Sequence, residues 1–287
     1  MSNPLVSVVC VTMNHENYVA QGFNSIVNQT YKNIEVLYVD NHSTDNTFEI
    51  ADSIFRNSGL PYQGFRRERS YNLPENLNFL VKKAKGDYLF LISGDDWTLE
   101  NCIGGMVSHY EANPHYGLVY GNGWYYYEDT QKLQPAANHK FISGHLFDHI
   151  FLYGVLFPVG VMVKKETFAH VGLYDETTPI EDYDFWLRVA KEYQIGYYDV
   201  PTIIYRKHSL GMTGLSGYKN IPFYLQIAEK YKTNKLYKKV KRQLRQFTIY
   251  ENILKKNRTK ALALLLKDFR LERFYLSALG KLITGIK

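Results

Sequence analysis

The first hundred residues alternate short apolar runs with helical patterns, and this alternation restricts the fold more than any other feature. Continuous apolar runs lie at residues 5–13, Ile34 to Val39 and Tyr88 to Ile92. Such runs are typical of strands that are buried on both faces of a parallel sheet. Helical spacing occupies residues 18–29, about 45–57 and Asn76 to Ala84. The order strand, helix, strand, helix, strand predicts an α/β fold with a mainly parallel sheet flanked by helices.

The second half of the chain is less regular. We expect strands over Gly117 to Tyr127 and Gly196 to Tyr205, a helix and a strand within Leu146 to Val163, and an amphipathic helix over Asp182 to Tyr193. A Gly/Ser-rich stretch near 212–222 is the expected boundary between domains. The sequence therefore predicts a large domain over 1–215 and a C-terminal helical extension over 216–287.

Charge is divided unevenly along the 287 residues. Residues 1–229 hold 17 Lys and Arg against 25 Asp and Glu, a net charge of −8, whereas residues 230–287 hold 17 against 3, a net charge of +14. The basic residues of the extension include Lys235, Lys238, Lys239, Lys241, Arg242 and Arg245. Apolar residues follow at helical spacing: Leu262, Leu265, Leu266, Phe269, Leu276, Leu279 and Ile283.

This combination favours binding of 222–287 to an anionic membrane surface. An equally open alternative is that the apolar face packs against the large domain or against a second subunit in a homodimer. Nucleic acid is a weaker candidate, because no aromatic-interleaved motif accompanies the charge.

Cysteine content and the absence of targeting signals indicate the compartment. Cys10 and Cys102 have no metal-binding or redox spacing, which is typical of a reducing compartment. The N-terminus lacks the features of a secretory signal, and no run approaches the ~18 apolar residues of a spanning helix. We expect a cytoplasmic protein, at the inner face of the cell membrane if the extension binds lipid.

Polar clusters end all three strands of the first half. They are Thr12-Met13-Asn14, Asp40-Asn41-His42-Ser43 and Ser93-Gly94-Asp95-Asp96. Ligands of open parallel sheets bind beyond the carboxyl ends of the strands, where such clusters become neighbours. The convergence of these three clusters predicts a functional site.

The carboxylates in these clusters have different candidate roles. Asp95 and Asp96 repel each other unless a cation lies between them, and hard oxygen ligands suit Mg²⁺ or Mn²⁺. A solvated acidic turn is the alternative, but their position after a buried strand favours the metal. Asp40 can accept a hydrogen bond from N3–H of uracil, or it can supply negative charge at the start of the helix after Ser43, where Ser43 or Thr44 is the expected N-cap.

Two later features extend the candidate site. Glu181 and Asp182 open the amphipathic helix, so Asp182 is either a general base steadied by Glu181 or part of an N-terminal cap. His208 follows Tyr205-Arg206-Lys207 and is either a metal or phosphate ligand or a structural histidine.

Seven segments, in order over about residues 5–210, resemble family 2 glycosyltransferases. The early ones are Val6 to Asn14, Ser25 to Tyr31 ("S-x-x-x-Q-[ST]-[YF]"), Val39 to Asp45 ("V-D-D-G-S-x-D") and Ile92 to Trp97, at the place of "D-x-D-D". The later ones are Gly172 to Glu176 ("G-x-F-D-E"), Glu181 to Arg188 ("E-D-x-[DE]-[LF]-[WC]-x-R") and Tyr205 to His208 ("Y-R-x-H"). One such motif is weak, but seven in order are specific. Ser93 and Asn41 depart from the pattern, since each replaces an aspartate.

The resemblance implies a GT-A fold with a Rossmann-like sheet, a nucleoside-diphosphate donor, a Mn²⁺ or Mg²⁺ cofactor and inversion at the anomeric carbon. By analogy, residues 1–215 form the catalytic domain, with a nucleotide-binding half over about 1–98 and an acceptor half over about 99–215. The implied nucleotide-binding residues are Thr12, Asn14, Asp40 and Asp95, and the implied metal ligands are Asp96 and His208. Asp182 would be the catalytic base, with Glu181 and Arg206 in support.

The hypothesis is therefore an enzyme that moves a sugar from a nucleoside-diphosphate donor, with UDP as the expected nucleotide, to a hydroxyl of a glycan or lipid-linked acceptor during assembly of surface polysaccharide or glycoconjugate. One rival is a nucleotidyltransferase, but the loop after the first strand, Asn14 to Tyr18, lacks the glycines and the Lys or Arg expected of that class. A non-catalytic sugar-nucleotide or carbohydrate binder is the second rival, although all the candidate carboxylates are present. The sequence names neither the sugar nor the acceptor.

Overall fold

The computed structural model describes residues 3–136, 141–155, 157, 159–209, 217–254 and 259. The chain divides into two compact units, Met1–Gly211 and Met212–Lys287. The first unit holds one mixed sheet with helices, and the part of the second unit that is described is helical.

The first half of the larger unit follows the predicted alternation. Its elements are β1 (Val6–Thr12), α1 (Val19–Val27), β2 (Ile34–Asp40), α2 (Thr47–Ser58), β3 (Tyr62–Arg66), α3 (Leu73–Lys83) and β4 (Tyr88–Ser93). The strands lie in the order β3-β2-β1-β4, and all three pairings between them are parallel. Every residue of β2 is buried, as the apolar run predicted. The doubly wound half of the fold is therefore confirmed.

Two helix starts differ from the predictions. α3 begins at Leu73, earlier than expected, because Asn72 and Glu75 form a reciprocal capping box at its first turn. α2 begins at Thr47, so the expectation that Ser43 or Thr44 caps it is wrong. The Ser43 side chain is instead engaged by Asp40, which makes it part of the loop that precedes the helix.

The second half extends the same sheet with antiparallel and parallel pairs. Its elements are β5 (Trp97–Thr98), α4 (Cys102–Ala112), β6 (Tyr116–Tyr127), β7 (Lys132–Pro135), α5 (Phe147–Tyr153), β8 (Val161–Lys164), α6 (Lys165–Val171), α7 (Glu181–Glu192) and β9 (Gln194–Lys207). Beyond β4 the order is β8-β6-β9-β5, with β7 on the free part of β6. Only β6 and β9 pair in parallel here, so the parallel character predicted for the sheet belongs to its first half.

The long strands β6 and β9 carry the chain back to the ends of β1 and β4. Their register shifts twice near Asn122, opposite Pro201, a residue that cannot donate to the ladder. At Gly123 an added Cβ would lie 1.7 Å from the carbonyl oxygen of Ile203, so only glycine allows this close approach. β9 then reaches Lys207 and delivers the Tyr205-Arg206-Lys207-His208 segment to the site.

The second unit contains a short 3-10 helix (Gly217–Asn220), α8 (Ile221–Lys230) and α9 (Tyr237–Leu254). Lys241 Nζ lies 2.6 Å from Glu229 Oε1 and ties α9 to α8. The predicted apolar end of the extension, from Leu262 to Ile283, lies outside the described residues. Among the helices that the structure describes, none has the length and apolar character needed to cross a membrane.

Candidate functional site

Parallel register brings the ends of β1, β2 and β4 to one edge of the sheet. Thr12 lies opposite Asp40, and Val11 lies opposite Ser93. The polar segments that follow these strands are therefore neighbours, as their positions in the sequence predicted.

Asp40 is fully buried and organises the loop after β2. Its Oδ2 accepts a hydrogen bond from the backbone N–H of Ser43 (3.0 Å), and its Oδ1 accepts one from the Ser43 hydroxyl. The N–H of Asn14 donates in turn to Ser43 Oγ (2.9 Å), and Asn14 Oδ1 accepts from Thr44 N–H (3.0 Å). Asn14 and His42 hold the left-handed backbone conformation, with φ of 54° and 66°. Asp40 and Asn14 thus lock the loops after β1 and β2 together.

The neighbouring polar residues are also engaged. The Thr12 hydroxyl is buried and donates to the carbonyl oxygen of Val39 (3.2 Å). Asn41 donates through Nδ2 to the Tyr71 carbonyl (2.9 Å) and accepts through Oδ1 from Tyr71 N–H (2.8 Å). Asn41, which stands where the family pattern has an aspartate, therefore fastens the segment after β3 to the end of β2. The amide performs this role because it offers both a donor and an acceptor.

Asp95, Asp96, Arg206 and His208 form one network, although 110 or more residues separate the acids from the β9 segment. His208 Nε2 lies 2.9 Å from Asp95 Oδ2, and the backbone N–H of Arg206 donates to Asp96 Oδ1 (2.9 Å).

The Arg206 guanidinium donates to the Asp95 carbonyl (2.9 Å) and to Gln21 Oε1 (2.5 Å). It also lies over the rings of Tyr18, Trp97 and Tyr126, at 4.9, 4.7 and 5.4 Å from their centroids.

The two adjacent acids have opposite pKa shifts. Burial alone would raise the pKa of Asp95, but the hydrogen bond with His208 and the charge of His15 hold this pKa at about 2. Burial raises the pKa of Asp96 well above its usual value, and the negative charge of Asp95 raises it further. Asp95 is therefore the ionised partner, and Asp96 is a carboxyl group that gains from any cation placed beside it.

His15 is a site residue that the motifs missed. Its Nε2 lies 4.0 Å from Asp95 Oδ2, and its backbone N–H donates to Thr47 Oγ1 (2.7 Å). Burial lowers the pKa of His15, and the negative charge of Asp95 opposes this shift. The only sequence signal for it was its position directly after the Asn14 turn.

The residues at this edge fit a divalent cation. Within the described part of the chain, Asp95 Oδ1, His15 Nδ1 and His208 Nδ1 are buried and lack hydrogen-bond partners. Carboxylate oxygens suit Mg²⁺ and Mn²⁺, and imidazole suits transition metals. No three His, Cys, Asp or Glu side chains among these residues already converge as a metal site.

Glu181 and Asp182 lie in the larger unit at the first turn of α7. Neither is the N-cap, which is Ile180; Asp182 Oδ1 accepts from Tyr183 N–H (2.7 Å). Burial and the charge of Asp182 raise the pKa of Glu181 to about 8, and burial raises the pKa of Asp182 as well. In the described residues, no hydrogen bond or ion pair connects either acid to the Asp95 network.

A charged residue of α7 braces the position of the helix. Arg188 donates to Asp184 Oδ2 (2.8 Å) and to the carbonyl oxygens of Val171 (2.6 Å), Gly172 (3.1 Å) and Leu173 (2.8 Å). One guanidinium therefore holds the loop between α6 and α7 against the helix. Asp184 and Arg188 therefore have a structural role.

Comparison with known proteins agrees with this fold. A family model described as Glycosyl transferase family 2 matches residues 7–164. The putative glycosyltransferase EpsE of Bacillus subtilis is 28% identical over 200 residues, which cover 68% of this chain and 70% of EpsE. Some relatives are much longer: an alignment with an uncharacterized glycosyltransferase of Rickettsia bellii, 27% identical over 220 residues, covers 72% of this chain but 30% of that protein.

Solved structures share the fold. S. aureus TarS 1–349 in complex with UDP-GlcNAc has a TM-score of 0.62 at 18% identity, covering 99% of this chain and 82% of that one. Mannosyltransferase PcManGT from Pyrobaculum calidifontis, in complex with GDP-Man and Mn²⁺, has a TM-score of 0.67 at 15% identity, covering 99% and 80%. At these identities the similarity establishes the architecture. Because the family model covers more than half of the sequence, the chain belongs to glycosyl transferase family 2 and is a glycosyltransferase with the GT-A fold.

Proposed function

We propose that the protein transfers a sugar, with inversion, from a UDP-sugar to a hydroxyl group of a glycan or lipid-linked acceptor, with the help of Mn²⁺ or Mg²⁺. The observation that carries this proposal is the Asp95 network. A buried carboxylate oxygen without a partner, a second carboxyl group with a raised pKa and two imidazoles meet at the carboxyl edge of the sheet. Ligands of open α/β sheets bind at this edge.

Asp96 and Asp95 are the residues that would hold the cation, and His208 or His15 would support it through a ring nitrogen. When bound, the cation stabilises the negative charge that develops on the leaving diphosphate. Removal of the cation should therefore weaken both donor binding and transfer.

Asp182 is the proposed base that removes the proton of the acceptor hydroxyl. Burial raises its pKa, and a base is most effective when its pKa lies close to the working pH. Glu181, with a pKa of about 8, remains largely protonated at neutral pH, so Asp182 keeps a neutral neighbour while it accepts the proton.

Asp40 is the proposed contact for the nucleotide base, with Asn14 and Thr12 shaping the loop around it. TarS binds UDP-GlcNAc and PcManGT binds GDP-Man, so both bases occur on this architecture. Asp40 already accepts two hydrogen bonds from Ser43, but each carboxylate oxygen has two lone pairs, which leaves capacity for the N3–H of uracil.

Thermal-shift measurements against UDP, GDP and several nucleotide sugars, each with Mn²⁺ and with EDTA, test this proposal. UDP with Mn²⁺ should raise the melting temperature most, since ligands that bind only the native state stabilise it by mass action. Asp40→Ala should narrow the difference between UDP and GDP. A larger shift with GDP would contradict the base assignment, and equal shifts with EDTA would contradict the role of the metal.

We also propose that the basic extension brings the enzyme to an anionic membrane surface. Residues 230–254 carry eight Lys and Arg against one acidic residue, and Lys238 and Lys239 on α9 are exposed. Each such cation contributes on the order of 1 kcal/mol near an anionic surface. The full chain should float with phosphatidylserine vesicles at low salt, and Lys238→Glu/Lys239→Glu should reduce flotation. Equal flotation of the two proteins, or none, would contradict this location.

A further inference from the structure

Lys207 is a charged residue at the end of β9 that the site description has not used. Side chains alternate along a strand, so Lys207 faces away from Arg206 and His208. In the register of β6 and β9, Tyr125 lies opposite Tyr205 and Tyr127 lies opposite Lys207. Lys207 Nζ is 3.8 Å from the ring centroid of Tyr205 and 5.0 Å from that of Tyr125. The two tyrosine rings therefore form a platform under the ammonium group.

In the part of the chain that the structure describes, the Lys207 ammonium forms no ion pair. The Lys207 side chain is half-buried. Among the described residues no carboxylate lies within 4.0 Å of Lys207 Nζ. A cation withdrawn from water is costly unless it is paired, and a cation–π contact of about 0.5–2 kcal/mol offsets only part of this cost. An anionic ligand would supply the missing partner.

Lys164, in the same unit, is a lysine whose ammonium group has an ionic partner and a hydrogen-bond acceptor. Its Nζ also lies over a tyrosine ring, 5.7 Å from the centroid of Tyr110. It makes an ion pair with Glu166 at 3.4 Å and donates to the carbonyl of Pro114 at 2.5 Å. Lys164 therefore needs no further ligand, and it serves as a matched control for Lys207.

Aromatic contacts connect the face that carries Lys207 to α7. Tyr205 contacts Phe157 (6.4 Å between centroids), Phe157 contacts Phe141 (6.1 Å), Phe141 contacts Tyr120 (5.8 Å), and Tyr120 contacts Trp186 of α7 (5.6 Å). These contacts link the face that carries Lys207 to the helix that carries the proposed base.

We propose that Lys207, supported by the rings of Tyr125 and Tyr205, binds phosphate oxygens of a substrate. The proposal rests on the proposed function, because it places the phosphate beside the Asp95–Asp96 site. Two sources share this chemistry: the diphosphate of the donor, and a phosphate in the acceptor. Lysine can bind either phosphate, because its ammonium group is a compact cation with three hydrogen-bond donors.

Isothermal titration calorimetry with two probes separates these sources. The first probe is UDP in the presence of Mn²⁺, and the second is inorganic phosphate added to protein saturated with UDP and Mn²⁺. Wild type, Lys207→Gln, Lys207→Arg and the control Lys164→Gln are compared, with circular dichroism and thermal unfolding to verify the fold. Hydrogen bonds to charged groups are worth about 1.5–3 kcal/mol, so loss of the ammonium should weaken the affected probe about 10-fold to 100-fold.

Lys207 is assigned to the donor diphosphate if Lys207→Gln binds UDP more weakly than wild type while Lys164→Gln does not. Lys207→Arg should then restore part of the affinity. Unchanged UDP binding with loss of phosphate binding to the UDP-loaded protein assigns it to the acceptor. If both probes behave in Lys207→Gln as they do in wild type, including a phosphate probe that binds neither protein, the proposal is overturned while the proposed function stands. Failure of wild type to bind UDP at all would overturn the proposed function and this assignment with it.

Discussion

The larger unit contains two pairs of adjacent acids whose surroundings differ: Asp95–Asp96 after β4, and Glu181–Asp182 at the start of α7. All four carboxyl groups are largely withdrawn from water, and burial by itself raises each pKa. The Asp95–Asp96 pair lies against His15, His208 and Arg206, whereas no cationic group contributes to the pKa shifts at Glu181–Asp182.

These different surroundings give Asp95 and Glu181 different ionisation states. At Asp95 the histidines outweigh burial and the carboxylate stays ionised, with a pKa of about 2. At Glu181 nothing outweighs burial, and the pKa rises to about 8. One pair is therefore suited to hold a cation and the other to exchange a proton, although both read as two consecutive acids in the sequence. Neighbours brought from distant segments, rather than the dipeptide, decide which role is available.

Asp96→Asn should have the largest effect on transfer. Asparagine keeps an oxygen that can accept the Arg206 N–H, but it removes the charge that would bind the cation. Electrostatic stabilisation by a bound metal is worth several kcal/mol, so kcat/KM should fall about 10³-fold or more, and Mn²⁺ should no longer strengthen UDP binding. Glu49→Ala, an exposed acid on α2, is the control and should behave as wild type. Full activity of Asp96→Asn in EDTA would contradict the proposal that the Asp95–Asp96 pair holds a cation.

Asp182→Asn should reduce transfer by about 10²-fold to 10⁴-fold through kcat, which is the range for loss of a general base. Its affinity for UDP with Mn²⁺ should stay close to that of wild type, because no described contact connects Asp182 to the Asp95 network. Calorimetry and steady-state kinetics on the same preparation measure the two quantities. A variant that loses UDP binding along with transfer would place Asp182 in the donor site instead.

The pH dependence of transfer should follow the second pair and not the first. Burial raises the pKa of Asp182, so kcat should rise with pH over a range above the ordinary aspartate value of 3.8. Ionisation of Glu181 near pH 8 should then produce a second, smaller change, of less than about tenfold, because interacting carboxyl groups titrate in two steps. Glu181→Gln should retain the first step and lose the second. A profile with a single step in both proteins would contradict the coupling.

The placement of the Asp95–Asp96 pair in the fold can largely be predicted from the sequence. A strand buried on both faces needs an uninterrupted apolar run, and parallel register places the ends of such strands together, so the position of Asp40, Asp95 and Asp96 at one edge of the sheet follows from the sequence. The local role of Ser43 was predicted wrongly, because a serine before a helical pattern resembles an N-cap wherever its hydroxyl points. Only the folded loop shows that Asp40 takes that hydroxyl.

The partners of these acids were harder to predict. His208 and Asp95 are separated by 113 residues, and the register shifts between β6 and β9 help determine where the Tyr205-Arg206-Lys207-His208 segment arrives. The resemblance to a family pointed to Arg206 and His208, but the bulge near Pro201 that helps set their position has no simple sequence pattern. His15 and Lys207 carried no signal beyond their place next to motif residues.

The smallest expected effect is on stability, where the two pairs should respond to pH in opposite directions. The folded-state pKa of Asp95 lies below its unfolded value of 3.8, so its contribution is present above that pH and is lost as pH falls through about 2. The folded-state pKa of Glu181 lies above its unfolded value of 4.5, so its contribution is present below pH 4.5 and is lost as pH rises through about 8.

In EDTA at pH 6, Asp95→Asn should therefore lower the free energy of unfolding by up to about 2 kcal/mol, or roughly 4–8 °C in melting temperature. Glu181→Gln should match wild type near pH 5 and become the more stable protein near pH 9, because wild type must then ionise a buried carboxyl group. Glu192 is a more exposed acid at the other end of α7, so Glu192→Gln should not become more stable than wild type near pH 9. Thermal unfolding of the four proteins from pH 2 to pH 9 measures both trends. Parallel curves for Asp95→Asn and Glu181→Gln would mean that the two pairs are electrostatically alike, and the division between a cation-holding pair and a proton-exchanging pair would not stand.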